Sequence, residues 1–211
     1  METKIYNLII LDASGSMETI KEATINGFNE TVQTVKAAQK KFDDQKHLIS
    51  LVVFNSDDIK TVYDCVPAEE VHELNDKNYK PNCCTPLFDA IGIAVSKLQF
   101  IAKEEDKVLV TIITDGYENA SKEYSGKLIK EIIDKQKEKG WVFTYIGANQ
   151  DSAEVAAKIS IYNTINFDAD NVSTHNMFVK ESTSRMKWFD RVSKKESKEN
   201  LQNDYFEDED K

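Results

Sequence analysis

The chain has 211 residues, with 27 Lys and Arg against 37 Asp and Glu for a formal net charge of −10, and 40% of its residues are apolar. A chain of this length can bury a sizeable core around a single domain, and its apolar fraction excludes disorder throughout. The acidic balance argues against nucleic acid and against an anionic membrane surface, both of which are bound through Lys and Arg.

No apolar run approaches the roughly 18 residues of a membrane span. Met1-Glu2-Thr3-Lys4 leads directly into Ile5–Leu11, which is too short for a signal peptide and lacks a cleavage site. Three cysteines, an odd number, make no disulfide framework. Cys83 and Cys84 are sequence neighbours, a poor geometry for a bridge between them. The expectation is a cytoplasmic protein with reduced thiols.

In chain order, residues 4–12 form an apolar run ending in Asp12, as in a strand buried on both faces. A helix is expected over 18–42, with Ile20, Thr24, Gly27, Phe28, Thr31, Val35, Ala38 and Phe42 on one stripe. Residues 47–55 and 59–66 read as two strands joined by the turn signal Asn55-Ser56-Asp57-Asp58, forming a hairpin. The stretch 67–85 is irregular. A helix over 86–103 starts at Pro86, where the missing N–H costs nothing.

Residues 108–114 form another buried strand, ending in Asp115-Gly116. A helix over 122–139 carries Leu128, Ile129, Ile132 and Ile133 on one side and stops at Gly140. A strand over 141–146, a short helix near 151–159 and a strand over 161–167 follow. The closing helix, 171–192, is given an inner face of Val172, His175, Val179, Ser182, Met186 and Phe189. Residues 194–211 hold four Lys and seven Asp and Glu and read as an acidic, mostly disordered tail, which leaves 1–193 as the domain.

The alternation implies an α/β fold: a doubly wound, mostly parallel six-stranded sheet in the order 3-2-1-4-5-6, with one antiparallel edge strand and helices on both faces. In such a sheet ligands sit outside the carboxyl ends of strands 1 and 4, where the strand order reverses. Asp12 and Asp115 end those strands. Asp12-Ala13-Ser14-Gly15-Ser16 sets oxygen-bearing side chains at alternate positions, and Thr85 stands at the start of the next long helix. A cluster of Asp12, Ser14, Ser16, Thr85 and Asp115 offers only hard oxygen donors, which suits Mg²⁺, Mn²⁺ or Ca²⁺ better than zinc.

These pieces resemble a von Willebrand factor type A domain and its metal-ion-dependent adhesion site: Asp-x-Ser-x-Ser at Asp12, Ser14 and Ser16, the threonine at Thr85, and the aspartate at Asp115 in Thr-Asp-Gly. The resemblance spans about residues 4–192. It implies that Ser14 and Ser16 hold a divalent cation directly, that Thr85 does so directly or through water, and that Asp12 and Asp115 act through bridging waters. It further implies a protein partner that supplies an Asp or Glu carboxylate to the cation. Intracellular bacterial relatives of such domains often work beside ATPases or in stress-response systems.

The chain departs from the family at Cys83-Cys84, where relatives usually carry small residues, often Gly-Gly, before the threonine. A residue there with positive φ would be strained. The plain expectation is two small buried residues; the alternative is a redox-sensitive loop in which oxidation at Cys84 disturbs Thr85.

Other polar residues have plainer readings. Asp89, one helical turn beyond Thr85, and Glu118 are expected at the site rim or simply at a helix start and in a solvated loop, and Asn119 likewise. Asn149, Gln150 and Asp151 read as a helix N-terminus. His47, His72 and His175 show no metal-ligand spacing. Two further functional classes stand beside the binding module. One is a metal-dependent phosphoryl-transfer or hydrolytic enzyme, disfavoured because Ser14 occupies the place of a second aspartate and no phosphate-binding Gly-rich motif is present. The other is an interaction scaffold for which the metal is incidental.

Overall fold

The structure, a computed structural model, describes residues 2–148 and 152–206. Its sheet holds six strands in the order β3-β2-β1-β4-β5-β6: β1 (Thr3–Asp12), β2 (Gln45–Phe54), β3 (Ile59–Pro67), β4 (Lys107–Thr114), β5 (Val142–Ala148) and β6 (Asn163–Phe167). Every neighbouring pair is parallel except β2 and β3, the expected hairpin. The register sets Asp12 at the end of β1 opposite Phe54 of β2, and Leu11 opposite Ile113 of β4, so the carboxyl ends of β1 and β4 open side by side.

The helices are α1 (Lys21–Lys41), α2 (Leu87–Leu98), α3 (Gly126–Glu138), α4 (Ser152–Ala157), α5 (Asn171–Ser193) and α6 (Lys198–Gln202). Alternate side chains of each central strand feed two separate cores. Ile5, Ile9 and Leu11 of β1 pack with α1 and α5, while Tyr6, Leu8 and Ile10 pack with α2 and α3. Near-continuous apolar runs are the sequence pattern of a sheet covered on both faces. The stripe expected on α1 is buried from Thr24 to Ala38. Among the described residues no helix is long and apolar enough to cross a membrane.

Two expectations are corrected. The inner face of α5 is rotated from the one read in the sequence: Thr174, Met177, Phe178, Glu181, Ser184, Arg185, Trp188, Phe189 and Val192 are buried, whereas Val172 is 70% and Val179 47% exposed. The cause is an ion pair placed inward. The Arg185 guanidinium donates to Glu181 Oε1 at 2.7 Å, to Asn7 Oδ1 at 2.8 Å and to Thr111 Oγ1 at 2.7 Å, all under the sheet. A charged pair in which each guanidinium nitrogen holds an acceptor can occupy a core position that an aliphatic-only reading assigns to the surface.

The second correction concerns 194–206. This segment is folded: α6 docks on the body, Leu201, Tyr205 and Phe206 are buried, and Trp188 Nε1–H donates to the Leu201 carbonyl at 3.0 Å. Three apolar residues suffice to anchor a segment that its charge density made to look unstructured. Residues 207–211 lie outside the described residues, as do Asn149, Gln150 and Asp151.

Candidate functional site

Three loops meet over the carboxyl ends of β1 and β4. The first leaves β1 at Asp12 and enters a 3-10 turn at Gly15–Ile20. The Asp12 side chain is fully buried and both of its oxygens hold protein donors: Oδ1 accepts the Ser14 N–H at 2.6 Å, and Oδ2 accepts the Thr114 hydroxyl at 2.5 Å. The Tyr79 hydroxyl donates to the Asp12 carbonyl at 2.6 Å and fixes the end of the strand. Turned in this way, the loop sets Ser14 Oγ and Ser16 Oγ 3.3 Å apart.

The second loop runs into α2. Gly15 N–H donates to the Cys83 carbonyl at 3.0 Å, and Asn82 N–H donates to the Ala13 carbonyl at 2.8 Å, so it lies directly along the first. A Cβ on Gly15 would stand 3.4 Å from that Cys83 oxygen. Thr85 is buried at the end of this loop. Asn119 grips it from the third loop, accepting the Thr85 N–H at 2.8 Å and donating its own N–H to the Thr85 carbonyl at 3.1 Å.

The third loop leaves β4 at Thr114. Ser16 Oγ–H donates to Asp115 Oδ1 at 2.6 Å, tying it to the first. Gly116 supplies the open space: a Cβ there would lie 3.0 Å from Thr85 Oγ1 and 3.8 Å from Ser16 Oγ. The five residues Asp12, Ser14, Ser16, Thr85 and Asp115 are therefore brought together from three separate chain segments. Tyr117, just beyond, is 59% exposed on the lip of this cluster.

The electrostatics of the cluster are unbalanced. Burial lifts the Asp12 carboxyl to about 6 against the hydrogen bonds from Thr114 and Ser14, and the Asp115 charge adds to the rise. Burial also raises Asp115, opposed by its bond from Ser16. Among the described residues neither carboxylate has a Lys or Arg in an ion pair with it. Two carboxylates and three hydroxyls around a space that a single methyl would fill make a donor set of hard oxygens with uncompensated negative charge. Among the described residues no group of three or more His, Cys, Asp and Glu converges, here or elsewhere.

Asp89 and Glu118 do not join the five. Asp89 is buried and accepts three backbone N–H groups, those of Lys122, Glu123 and Tyr124 at 2.8–2.9 Å. Glu118 accepts the Phe88 N–H at the start of α2 and the N–H groups of Ala120 and Ser121. Both carboxylates bind the third loop to α2 and so hold Thr85 and Asp115 in place indirectly.

The two thiols before Thr85 are exposed, which corrects the expectation that they are buried. Cys83 sits at φ 62°, in the left-handed region where a glycine would carry no penalty. Thr114 and Tyr79, which orient the cluster, were not singled out as site residues, and Asn119, read as a rim or solvated-loop residue, instead holds Thr85 by its backbone. Thr114 had a signal, since it faces inward immediately before Asp115; Tyr79 lies in an irregular stretch without periodicity.

The family model for the von Willebrand factor type A domain matches residues 8–187. The chain belongs to this family. Domains of this kind are in general protein-interaction modules. No curated protein sequence matches significantly. Among solved structures, the PilB minor pilin from Streptococcus sanguinis superposes with a TM-score of 0.61 at 13% identity, over 89% of this chain and 62% of the pilin, so this type A domain spans less than two thirds of that relative's length. The manganese-loaded TRAP protein of Plasmodium vivax gives 0.50 at 14% identity, covering 84% of this chain and 73% of that one. The SpRpn10 VWA domain gives 0.51 at 11% identity, covering 86% and 95%. At these identities the likeness is one of fold.

Proposed function

We propose that this type A domain is a divalent-cation-dependent protein-binding module whose partner presents an Asp or Glu side chain, and that it works in the cytoplasm. The observation that carries the reading is the convergence of Asp12, Ser14, Ser16, Thr85 and Asp115 around the space over Gly116. Ser14, Ser16 and Thr85 would hold the ion through their hydroxyls, with Asp12 and Asp115 supporting it from behind. When bound, Mg²⁺, Mn²⁺ or Ca²⁺ supplies a coordination position that a carboxylate can complete.

The rest is done by the chain's own residues. Asp12 aims the Ser14 hydroxyl through the Ser14 N–H, and Asp115 aims that of Ser16. Asn119 fixes Thr85 against the same space. Neutral hydroxyls beside the ion leave its charge under-compensated, so an acidic surface that repels an acidic partner at long range becomes attractive at this one place. A unit-charge pair at 4 Å is worth about 4 kcal/mol at an effective dielectric of 20, enough for one carboxylate to gate binding.

The test is a Mn²⁺ titration of the purified protein followed by equilibrium dialysis, then capture of partners from native lysate with and without chelator. Wild-type protein is expected to bind one Mn²⁺ and to lose captured partners on chelation, and Ser14→Ala to lose both properties. Equal Mn²⁺ binding by wild type and Ser14→Ala overturns the reading.

A further inference from the structure

The structure contains a feature that cation binding does not use: two adjacent exposed thiols, Cys83 and Cys84, in the wall of the site. The geometry points to this pair as an oxidation site for hydrogen peroxide, closing to a vicinal disulfide that releases the Gly15 N–H and loosens the Ser14–Ser16 hydroxyl pair. The consequence for cation affinity rests on the proposed function; the structural switch does not.

Three observations carry it. Both side chains stand in the open, whereas Cys65, the third thiol, is half-buried on β3. Cys83 is already in a strained left-handed conformation at φ 62°. Most telling is the peptide group that joins the two cysteines, because it is hydrogen-bonded at both ends, to the first loop of the site and to the β2–β3 turn. Its carbonyl, that of Cys83, accepts the Gly15 N–H at 3.0 Å, and its N–H, that of Cys84, donates to Ser56 Oγ at 3.1 Å. Gly15 lies between the two hydroxyls, and Thr85 follows directly.

Adjacent Cα atoms across a trans peptide stand about 3.8 Å apart, below the roughly 4.4 Å at which disulfides are ordinarily found. Ring closure must therefore rotate this peptide, and it cannot rotate while keeping the Gly15 bond. The same strain makes the disulfide easy to reduce, as a reversible device requires.

The chemistry balances with peroxide as oxidant. The Cys84 sulfur attacks one peroxide oxygen, forming an S–O bond as the O–O bond breaks; the leaving hydroxide takes the thiol proton and becomes water. The Cys83 sulfur, whose thiol donates to Asp57 Oδ2 at 3.1 Å, then attacks the Cys84 sulfenic sulfur. The S–S bond forms, the S–O bond breaks, and the departing hydroxide leaves as a second water with the Cys83 proton.

The experiment treats the full chain with hydrogen peroxide and reads three quantities: the intact mass with peptide mapping, hydrogen exchange at Gly15, and Mn²⁺ affinity. The expected result is a loss of two hydrogens mapped to Cys83–Cys84, faster exchange at Gly15, and Mn²⁺ affinity weakened about tenfold, all reversed by dithiothreitol. Cys65→Ser is expected to respond like wild type, and Cys84→Ser to form no such disulfide. Oxygen addition without a Cys83–Cys84 bond overturns the inference, and so does a disulfide that leaves Gly15 exchange unchanged. If the reduced protein binds no Mn²⁺, the cation reading fails while mass and exchange still decide the redox inference.

Discussion

The Thr114 hydroxyl, at the end of β4, donates to Asp12 Oδ2 at the end of β1, 102 residues earlier in the chain. Its lone pair accepts the Gly116 N–H at 3.1 Å, so one side chain orients the buried carboxylate and pins the glycine that opens the site. Thr114→Val keeps the shape and removes the hydroxyl. Leaving a buried carboxylate oxygen short of a donor costs about 1–3 kcal/mol, and the Asp12 carboxyl should rise further. Chemical denaturation is expected to show that loss, and dialysis a weaker Mn²⁺ affinity. Unchanged stability and affinity would mean that Thr114 merely fills space.

The Arg185–Glu181 pair tests how the core between the sheet and α1 and α5 is built. Both side chains are within 1% of complete burial, and Glu181 also accepts from Thr31 and Tyr205. Removing one member strands the other's charge in the core. Glu181→Ala is expected to cost about 3–5 kcal/mol, read as a lower denaturation midpoint. The pair replaced together by apolar residues of similar volume should lose far less, and equal losses would contradict this account.

The contact of α1 with α5 depends on Gly27. A Cβ there would fall 1.9 Å from the Phe178 ring, at the edge of a buried aromatic that cannot swing into solvent. In an exposed helix Gly→Ala gains up to about 1 kcal/mol. Here Gly27→Ala is expected to destabilise by about 1–3 kcal/mol through overpacking. The double variant Gly27→Ala/Phe178→Leu should recover part of that loss, as a non-additive cycle; strict additivity would disprove the contact.

The sheet was legible because its central strands hold near-continuous apolar runs such as Leu8–Leu11 and Val108–Val110, a pattern that few other arrangements tolerate. The convergence of Asp12, Ser14, Ser16 and Asp115 was legible because the strand order brings the ends of β1 and β4 together, and that of Thr85 because it opens the next helix beside them. Asp89 and Glu118 resisted the same logic. A carboxylate beside a site and one that ties down a loop are identical in composition, and only the path of residues 115–124 separates them. Arg185, Glu181 and the Leu201–Phe206 segment were misread for a related reason, since charge density marks exposure on average and says nothing of a partner supplied from far along the chain. The exposure of Cys83 and Cys84 depends on a left-handed turn that neither residue favours.

The folded segment after α5 gives a direct test. Truncation after Ser193 would remove Leu201, Tyr205 and Phe206 from the core and leave the Trp188 indole N–H without its acceptor. Burial of one large side chain is worth about 1.5–3 kcal/mol, so the truncated protein is expected to be several kcal/mol less stable or to aggregate on expression. A truncated chain that melts at the full-length temperature would return the segment to the status of an appendage.

The dependence of stability on pH contains two opposed contributions. His47 is held near 4, below its ordinary 6.5, by burial and then by the Arg185 charge. The unfolded chain therefore takes up a proton that the folded one refuses. This contribution is fully present above 6.5 and is lost as pH falls toward 4, a span worth about 3 kcal/mol. Asp12 has the opposite sign. Its folded carboxyl lies near 6 against 3.8, chiefly through burial, so the folded state keeps a proton that the unfolded one gives up. Its stabilisation is present below 3.8 and is lost as pH rises through 6, again about 3 kcal/mol; Asp115, also raised, adds to it. Between pH 4 and 6 the slopes oppose, and cation-free wild type is expected to show a nearly flat denaturation midpoint. Asp12→Asn removes the larger acidic contribution and should expose the histidine slope, with stability falling steadily from pH 6.5 to 4. His47→Gln should do the reverse and lose stability as pH rises from 4 to 6. If both variants keep the flat profile of wild type, neither group sets the pH response.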